Sequence, residues 1–236
     1  MDRKKFIRNG ILGVASLVTA SKFLESCSKN DNDETDTSNS GDGSCTVSPS
    51  ETKGPFPIKT PSQLVLENIK SDRVGIALLI NLKIENKNNN CEPLSGALVD
   101  VWHCDKDGNY SEYGGTQMQQ TDYTSVHFLR GRQTVNASGE VSFISIYPGW
   151  YQGRAPHVHV EVLSSTGTSL LVTQIAFPET ISSEVYSSTN YAAHGQADTA
   201  NTKDNVFADS LTDELATITG NLTDGFTLTK TITVNA

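Results

Sequence analysis

Residues 154–162 read RAPHVHVEV, and the six residues from His157 to Val162 alternate without a break. Successive side chains of a β-strand point to opposite faces. The alternation therefore sets His157, His159 and Glu161 on one side and Val158, Val160 and Val162 on the other. The same period recurs along the chain. It appears in GALVDVWH (96–103), at the start of GEVSFISIY (139–147) and in FTLTKTITV (226–234), while VGIALLINLKIE (74–85) and TSLLVTQIAF (168–177) are apolar and β-branched. Asn, Gly and Ser turns separate these runs, the pattern of a sandwich or barrel. Helical signal is confined to 181–188 and 209–220. The expectation is an all-β fold, an antiparallel β-sandwich with long active-site loops and few short helices.

A strand rise puts the Cα atoms of His157 and His159 about 6.5–7 Å apart on a shared face. That spacing suits two ligands of one metal ion, and equally suits the polar face of an ordinary strand. The neighbourhood adds chemistry. Tyr151 follows a Pro-Gly turn in YPGWYQGRAP, Arg154 lies three residues before His157, and Tyr110 follows a D-x-D-G turn in CDKDGNYSEY. Residues on loops at strand ends are where binding groups gather. A phenol with a pKa of about 10 becomes a good ligand at neutral pH only on a strongly acidic metal ion. Zinc sites use Cys, His and carboxylate, whereas tyrosinate suits Fe(III). Two phenolates and one hydroxide balance three positive charges, so such a centre tolerates a partly dry pocket.

The chain has 236 residues, a formal net charge of −9 and 19% charged residues. Nothing resembles a basic patch, which argues against a nucleic-acid partner. The N-terminus pairs a basic head (Arg3, Lys4, Lys5, Arg8) with the short apolar run ILGVASLVTA and then LESC. This is the layout of an export signal, and Ser26-Cys27 resembles a bacterial lipobox. The head RKKFIR also resembles a twin-arginine signal with its second Arg replaced by Lys. The expected organisation is a lipoprotein export signal over 1–26, a flexible acidic tether over 27–50, and a β-sandwich domain over 51–236. Cys27 would carry the lipid, anchoring an exported protein to a membrane. Of Cys45, Cys91 and Cys104, any two can form one disulfide in an oxidising compartment.

VDVWHCDKDGNYS, FLRGRQTVNASGEVSFISIYPGWYQGRAPHVHVEV and TQIAFPE, taken in this order, resemble the intradiol ring-cleavage dioxygenases, in particular their small exported branch. The likeness extends from about residue 51 to about 207. It implies a non-haem Fe(III) held by Tyr110, Tyr151, His157 and His159, with Tyr151 the ligand that leaves when substrate binds. It also implies that Arg154 stabilises charge developing on the ring and that Gln174 lies beside the O2 and substrate pocket. The implied reaction is cleavage of a catechol-type aromatic diol with O2 to a cis,cis-muconate-type diacid. Two departures stand out. Only Gln152 and Gly153 separate Tyr151 from Arg154, where the cytoplasmic enzymes carry an insertion, and Lys53 stands where exported relatives often have an acidic residue. Rival readings of the same residues are a non-catalytic ligand- or glycan-binding lipoprotein and a Zn or Cu H-x-H protein.

Overall fold

The computed structural model describes residues 45–236. The expected export signal, the lipidated Cys27 and the tether up to residue 44 lie outside the described residues. Nine strands form two sheets: β1 Ala77–Asn86, β2 Glu92–Pro93, β3 Leu98–Trp102, β4 Arg130–Thr134, β5 Glu140–Ile146, β6 His157–Leu163, β7 Ser169–Ala176, β8 Thr217–Asn221 and β9 Gly225–Val234. One sheet runs β2-β1-β9-β8, with β5 also paired to β1, and the other runs β4-β3-β6-β7. All pairings are antiparallel except β1 with β9, which run parallel from Leu78↔Phe226 to Asn86↔Val234. Among the described residues the fold is therefore all-β, with two short α-helices at Glu179–Ser187 and Leu211–Glu214.

The core fills the space between the sheets. Val158, Val160 and Val162 of β6 and Val99 and Val101 of β3 meet Leu78, Ile80, Leu82 and Ile84 of β1, Phe143 of β5 and Leu228 and Ile232 of β9. Because the side-chain period is two, burying the valines inward fixes the register and turns His157, His159 and Glu161 to the outer face. That outer face is not wet. Every residue of β6 is buried, because loops and an N-terminal strap lie across it.

Two elements differ from the sequence reading. The helix expected over 209–220 shrinks to four residues, and Thr217–Asn221 becomes a strand paired to β9. Thr217, Ile218 and Thr219 are stiff at χ1 and favour the pleated conformation once β9 offers a partner. Strand β4 has no apolar alternation to advertise it. Its RGRQT sequence puts Arg130 fully inside and leaves Gly131 against Ile69, whose Cγ2 would lie 2.4 Å from any added Cβ.

Packed chain begins upstream of residue 51. Cys45 is bonded to Cys91, and Ser48 pairs with Thr233 in β9. A loop closed over 46 residues removes unfolded-state entropy worth about 4 kcal/mol by the chain-entropy relation. Further along, the strap reaches Glu51, whose N–H donates to Val172 O at the edge of β7.

Glu214, at the end of the four-residue helix, is 1% exposed and accepts a hydrogen bond from Ser210 Oγ at 2.9 Å. Burial, with added repulsion from Glu51 and Asp209, raises its pKa from 4.5 to about 7. A carboxyl that holds its proton more tightly when folded stabilises the fold most below its unfolded pKa, and that contribution is lost as pH rises through the folded value. Urea unfolding should therefore show stability falling between pH 4.5 and about 7, and Glu214→Gln should flatten that slope. An unchanged slope in the variant would refute the assignment.

Candidate metal centre

The site is built on the outer face of β6. His159 lies in register with Trp102 of β3 and Gln174 of β7, and His157 with Ala176. The His159 ring stacks flat on Trp102, with centroids 4.9 Å apart and planes within 1°. Its other edge faces Gly54 of the strap. A Cβ at Gly54 would come within 2.9 Å of His159 Cε1, and Gly54 has φ +67°, so only glycine fits there on both counts. His157 Nδ1 donates to the Ala155 carbonyl at 2.6 Å, which leaves the lone pair on Nε2.

That Nε2 lies 3.1 Å from His159 Nε2 and 3.2 Å from Tyr110 Oη. Both imidazoles are buried, and burial drives their pKa values down, to about 3 for His157 and well below the ordinary value for His159. Burial thus favours the neutral form of both rings. Burial raises the Tyr110 phenol well above its usual pKa. The Tyr151 phenol is also raised by burial, although Arg154 pulls it back. The Tyr151 ring stands 5.8 Å from Tyr110 and 5.5 Å from His157, both edge-on. Phe56 of the strap stacks on Tyr110 at 4.7 Å and meets Tyr151 edge-on at 6.0 Å.

Arg154 and Gln174 close one side. Arg154 Nη1 donates to Tyr151 Oη at 3.3 Å and Nη2 to Gln174 Oε1 at 2.7 Å. Gln174 Nε2 in turn donates to Thr52 O. Arg154 Nε binds both oxygens of Asp204, at 2.8 and 3.0 Å. Removing one partner from a buried ion pair typically costs about 3–5 kcal/mol, against roughly 0–1 for an exposed pair. Asp204, fully buried, thus weighs heavily on this wall of the site.

All six residues singled out in the sequence, Tyr110, Tyr151, Arg154, His157, His159 and Gln174, fall in this one cluster. Others do not join it. Tyr113 packs edge-on against Phe56 and spends its hydroxyl on Pro57 O. His103 is buried between Cys104 O and Ser145 Oγ, and burial lowers its pKa to about 4. His127 pairs with Glu112, and half-buried His194 donates to Trp150 O. Arg130 is consumed by Ser111 and the Phe56 carbonyl, and Arg132 by Asp100. Glu161 is buried and paired with Lys53, both oxygens within 2.7 Å, which accounts for lysine in the strap. Cys104 remains a buried thiol beside Trp102 and Tyr110. Sequence reading missed Gly54, Phe56 and Asp204. The Gly-Pro-Phe triplet at 54–56 carried a turn signal for the first two, and nothing in NTKDN marks Asp204.

The donor set suits a cation. With its proton on Nδ1, the single Nε2 lone pair of His157 cannot satisfy both Tyr110 and His159. His159 Nδ1 is itself buried with no hydrogen-bond partner. A positive ion at this point could take the Nε2 lone pair of His157 and, in its Nδ1-protonated tautomer, that of His159. Among the described residues no group of three or more His, Cys, Asp or Glu side chains is arranged to hold a metal, and the groups standing beside the two imidazoles are the phenols of Tyr110 and Tyr151.

Comparison with known proteins identifies the family. A family model described as dioxygenase matches residues 54–210. A chlorocatechol 1,2-dioxygenase from Rhodococcus opacus is 30% identical over a stretch that covers 36% of this chain, and this chain spans only 38% of that protein's length. An intradiol ring-cleavage dioxygenase from Tetranychus urticae superposes with a TM-score of 0.73 at 29% identity, covering 81% of this chain and 95% of that one. The 3-chlorocatechol 1,2-dioxygenase of Rhodococcus opacus 1CP shares the fold, with a TM-score of 0.55 at 18% identity over 80% of this chain and 72% of that one. With a dioxygenase model spanning most of the domain and two imidazoles facing two phenols inside it, the chain belongs to the intradiol ring-cleavage dioxygenase family.

Proposed function

We propose that the chain binds non-haem Fe(III) through Tyr110, Tyr151, His157 and His159. In this reading it cleaves catechol-type diols between their hydroxyl-bearing carbons, adding both atoms of O2 to give cis,cis-muconate-type diacids. The observation that carries the proposal is the gathering of two neutral imidazoles and two phenols around one buried point. Zinc favours Cys, His and carboxylate, which that set lacks beyond its two histidines. Phenolate is a hard donor matched to ferric iron. When bound, ferric iron supplies the Lewis acidity that ionises the phenols and activates the diol.

The protein groups then have distinct tasks. Tyr151, on the short loop before β6, is the proton acceptor for the diol, taking the proton at Oη. Arg154 Nη1, 3.3 Å from that oxygen, favours its ionised form and later faces charge that develops on the substrate. Gln174 fixes Nη2 and, through Thr52, ties the arginine to the strap. Phe56 and Trp102 wall the site with apolar surface and keep water from the imidazoles. Gly54 lets the strap press on His159 without displacing it.

We further propose that the protein is exported and anchored through acylated Cys27, a reading supported by the N-terminal sequence and consistent with a disulfide within the domain. Mass spectrometry of the N-terminal peptide should find the acyl groups in the wild type and none in Cys27→Ser. An unmodified wild-type peptide would refute the anchor.

Iron loading tests the centre directly. Wild-type protein should turn burgundy from tyrosinate-to-iron charge transfer, shift colour with catechol and consume O2. Tyr110→Phe should keep its fold by circular dichroism, since only one oxygen is removed, yet lose iron on desalting. Protein that stays colourless with Fe(III) would overturn the proposal. Gly54→Ala should lower iron affinity about 10-fold or more while Tyr110 and His157 stay in place, measured by competition with a chelator. Unchanged affinity would show that the strap does not set the His159 position.

A further inference from the structure

The segment from Tyr151 to Ala155 is short, and two carboxylates from a distant loop grip it. Asp198 accepts from Gly153 N at 3.2 Å. Asp204 accepts from Ala155 N at 2.7 Å, from Val206 N at 2.9 Å and from Arg154 Nε. The loop is itself anchored. Asn201 Nδ2 donates to Phe177 O just past β7, and Asn201 N donates to Glu179.

We propose that Asp204 is a positioning residue for Arg154. A guanidinium is planar and rigid, so fixing Nε at one carboxylate dictates where both η nitrogens point. With Nε on Asp204, Nη1 is directed to Tyr151 Oη and Nη2 to Gln174. Without that anchor the long side chain has other rotamers available and no reason to present both nitrogens to the site. The loop from Asp198 to Val206 thus holds the short Tyr151–Ala155 segment from a distant part of the same chain. This inference rests on the reading that Arg154 faces charge developing on the substrate.

The test is a double-mutant cycle on the iron-loaded full chain with catechol. Asp204→Asn should lower kcat about 10- to 100-fold, with KM changed less than about 3-fold. In an Arg154→Gln background, the same Asp204→Asn change should cost less than about 3-fold further, because its effect runs through Arg154. Additive losses would overturn the proposal by assigning Asp204 a purely structural role. Arg154→Lys, which leaves Asp204 intact, should lose kcat to a similar extent, since an ammonium cannot hold the carboxylate and reach Tyr151 and Gln174 together. A wild-type kcat in Arg154→Lys would also overturn it. A readout independent of turnover is the Arg154 Nε–H resonance in metal-free protein. It should be exchange-protected in the wild type and lost or shifted in Asp204→Asn, and an unmoved, protected resonance would refute the positioning role. If wild-type protein cleaves no diol while this resonance behaves as expected, the proposed reaction fails and the positioning of Arg154 stands.

Discussion

Two imidazole nitrogens, each carrying no charge, sit 3.1 Å apart on a sheet face from which water has been excluded. Most of the site's features follow from keeping them there. The inward valines of β6 set the register that turns both rings outward together. Trp102 fixes one ring by stacking, and the Ala155 carbonyl fixes the other by claiming its Nδ1 proton. Burial depresses both pKa values, which favours the neutral rings that metal ligation requires.

A buried polar face needs cover as well as order. The strap from Glu51 to Phe56 provides it, and five of its six residues meet different demands. Glu51 pairs with the β7 edge, Thr52 receives Gln174, Lys53 neutralises Glu161, Gly54 clears His159, and Phe56 packs on Tyr110. Glu161 would otherwise be an unpaired buried carboxylate two residues from His159. Lysine at position 53 therefore answers an electrostatic problem created by the alternation of β6 itself.

Much of this was legible in the sequence because the signals were periodic or local. Strict alternation named β6, β3 and β9, and Asn/Gly/Ser turns marked their ends. Tyr110, Tyr151 and the two histidines stood out because phenol and imidazole in one neighbourhood imply particular chemistry. What escaped reading was non-local. Strand β4 is held by arginine hydrogen bonds that no hydropathy pattern reveals. The strand at Thr217–Asn221 depends on β9 being present to pair with it. Asp204 matters because the chain returns to residue 154 after 50 positions, and the identity of that returning residue carries no local mark. Likewise, three cysteines left the disulfide open until β1 and β2 brought Cys91 beside Cys45.

That disulfide also divides the molecule mechanically. Cys45 lies six residues ahead of Glu51, where the strap begins its run across the imidazole pair. Any tension arriving through the chain before Cys45 is passed by the covalent bond to Cys91, at the far end of the β1–β2 turn. The load then enters the first sheet, away from Gly54 and Phe56. A centre whose geometry rests on an N-terminal strap is thereby insulated from whatever pulls on the N-terminus.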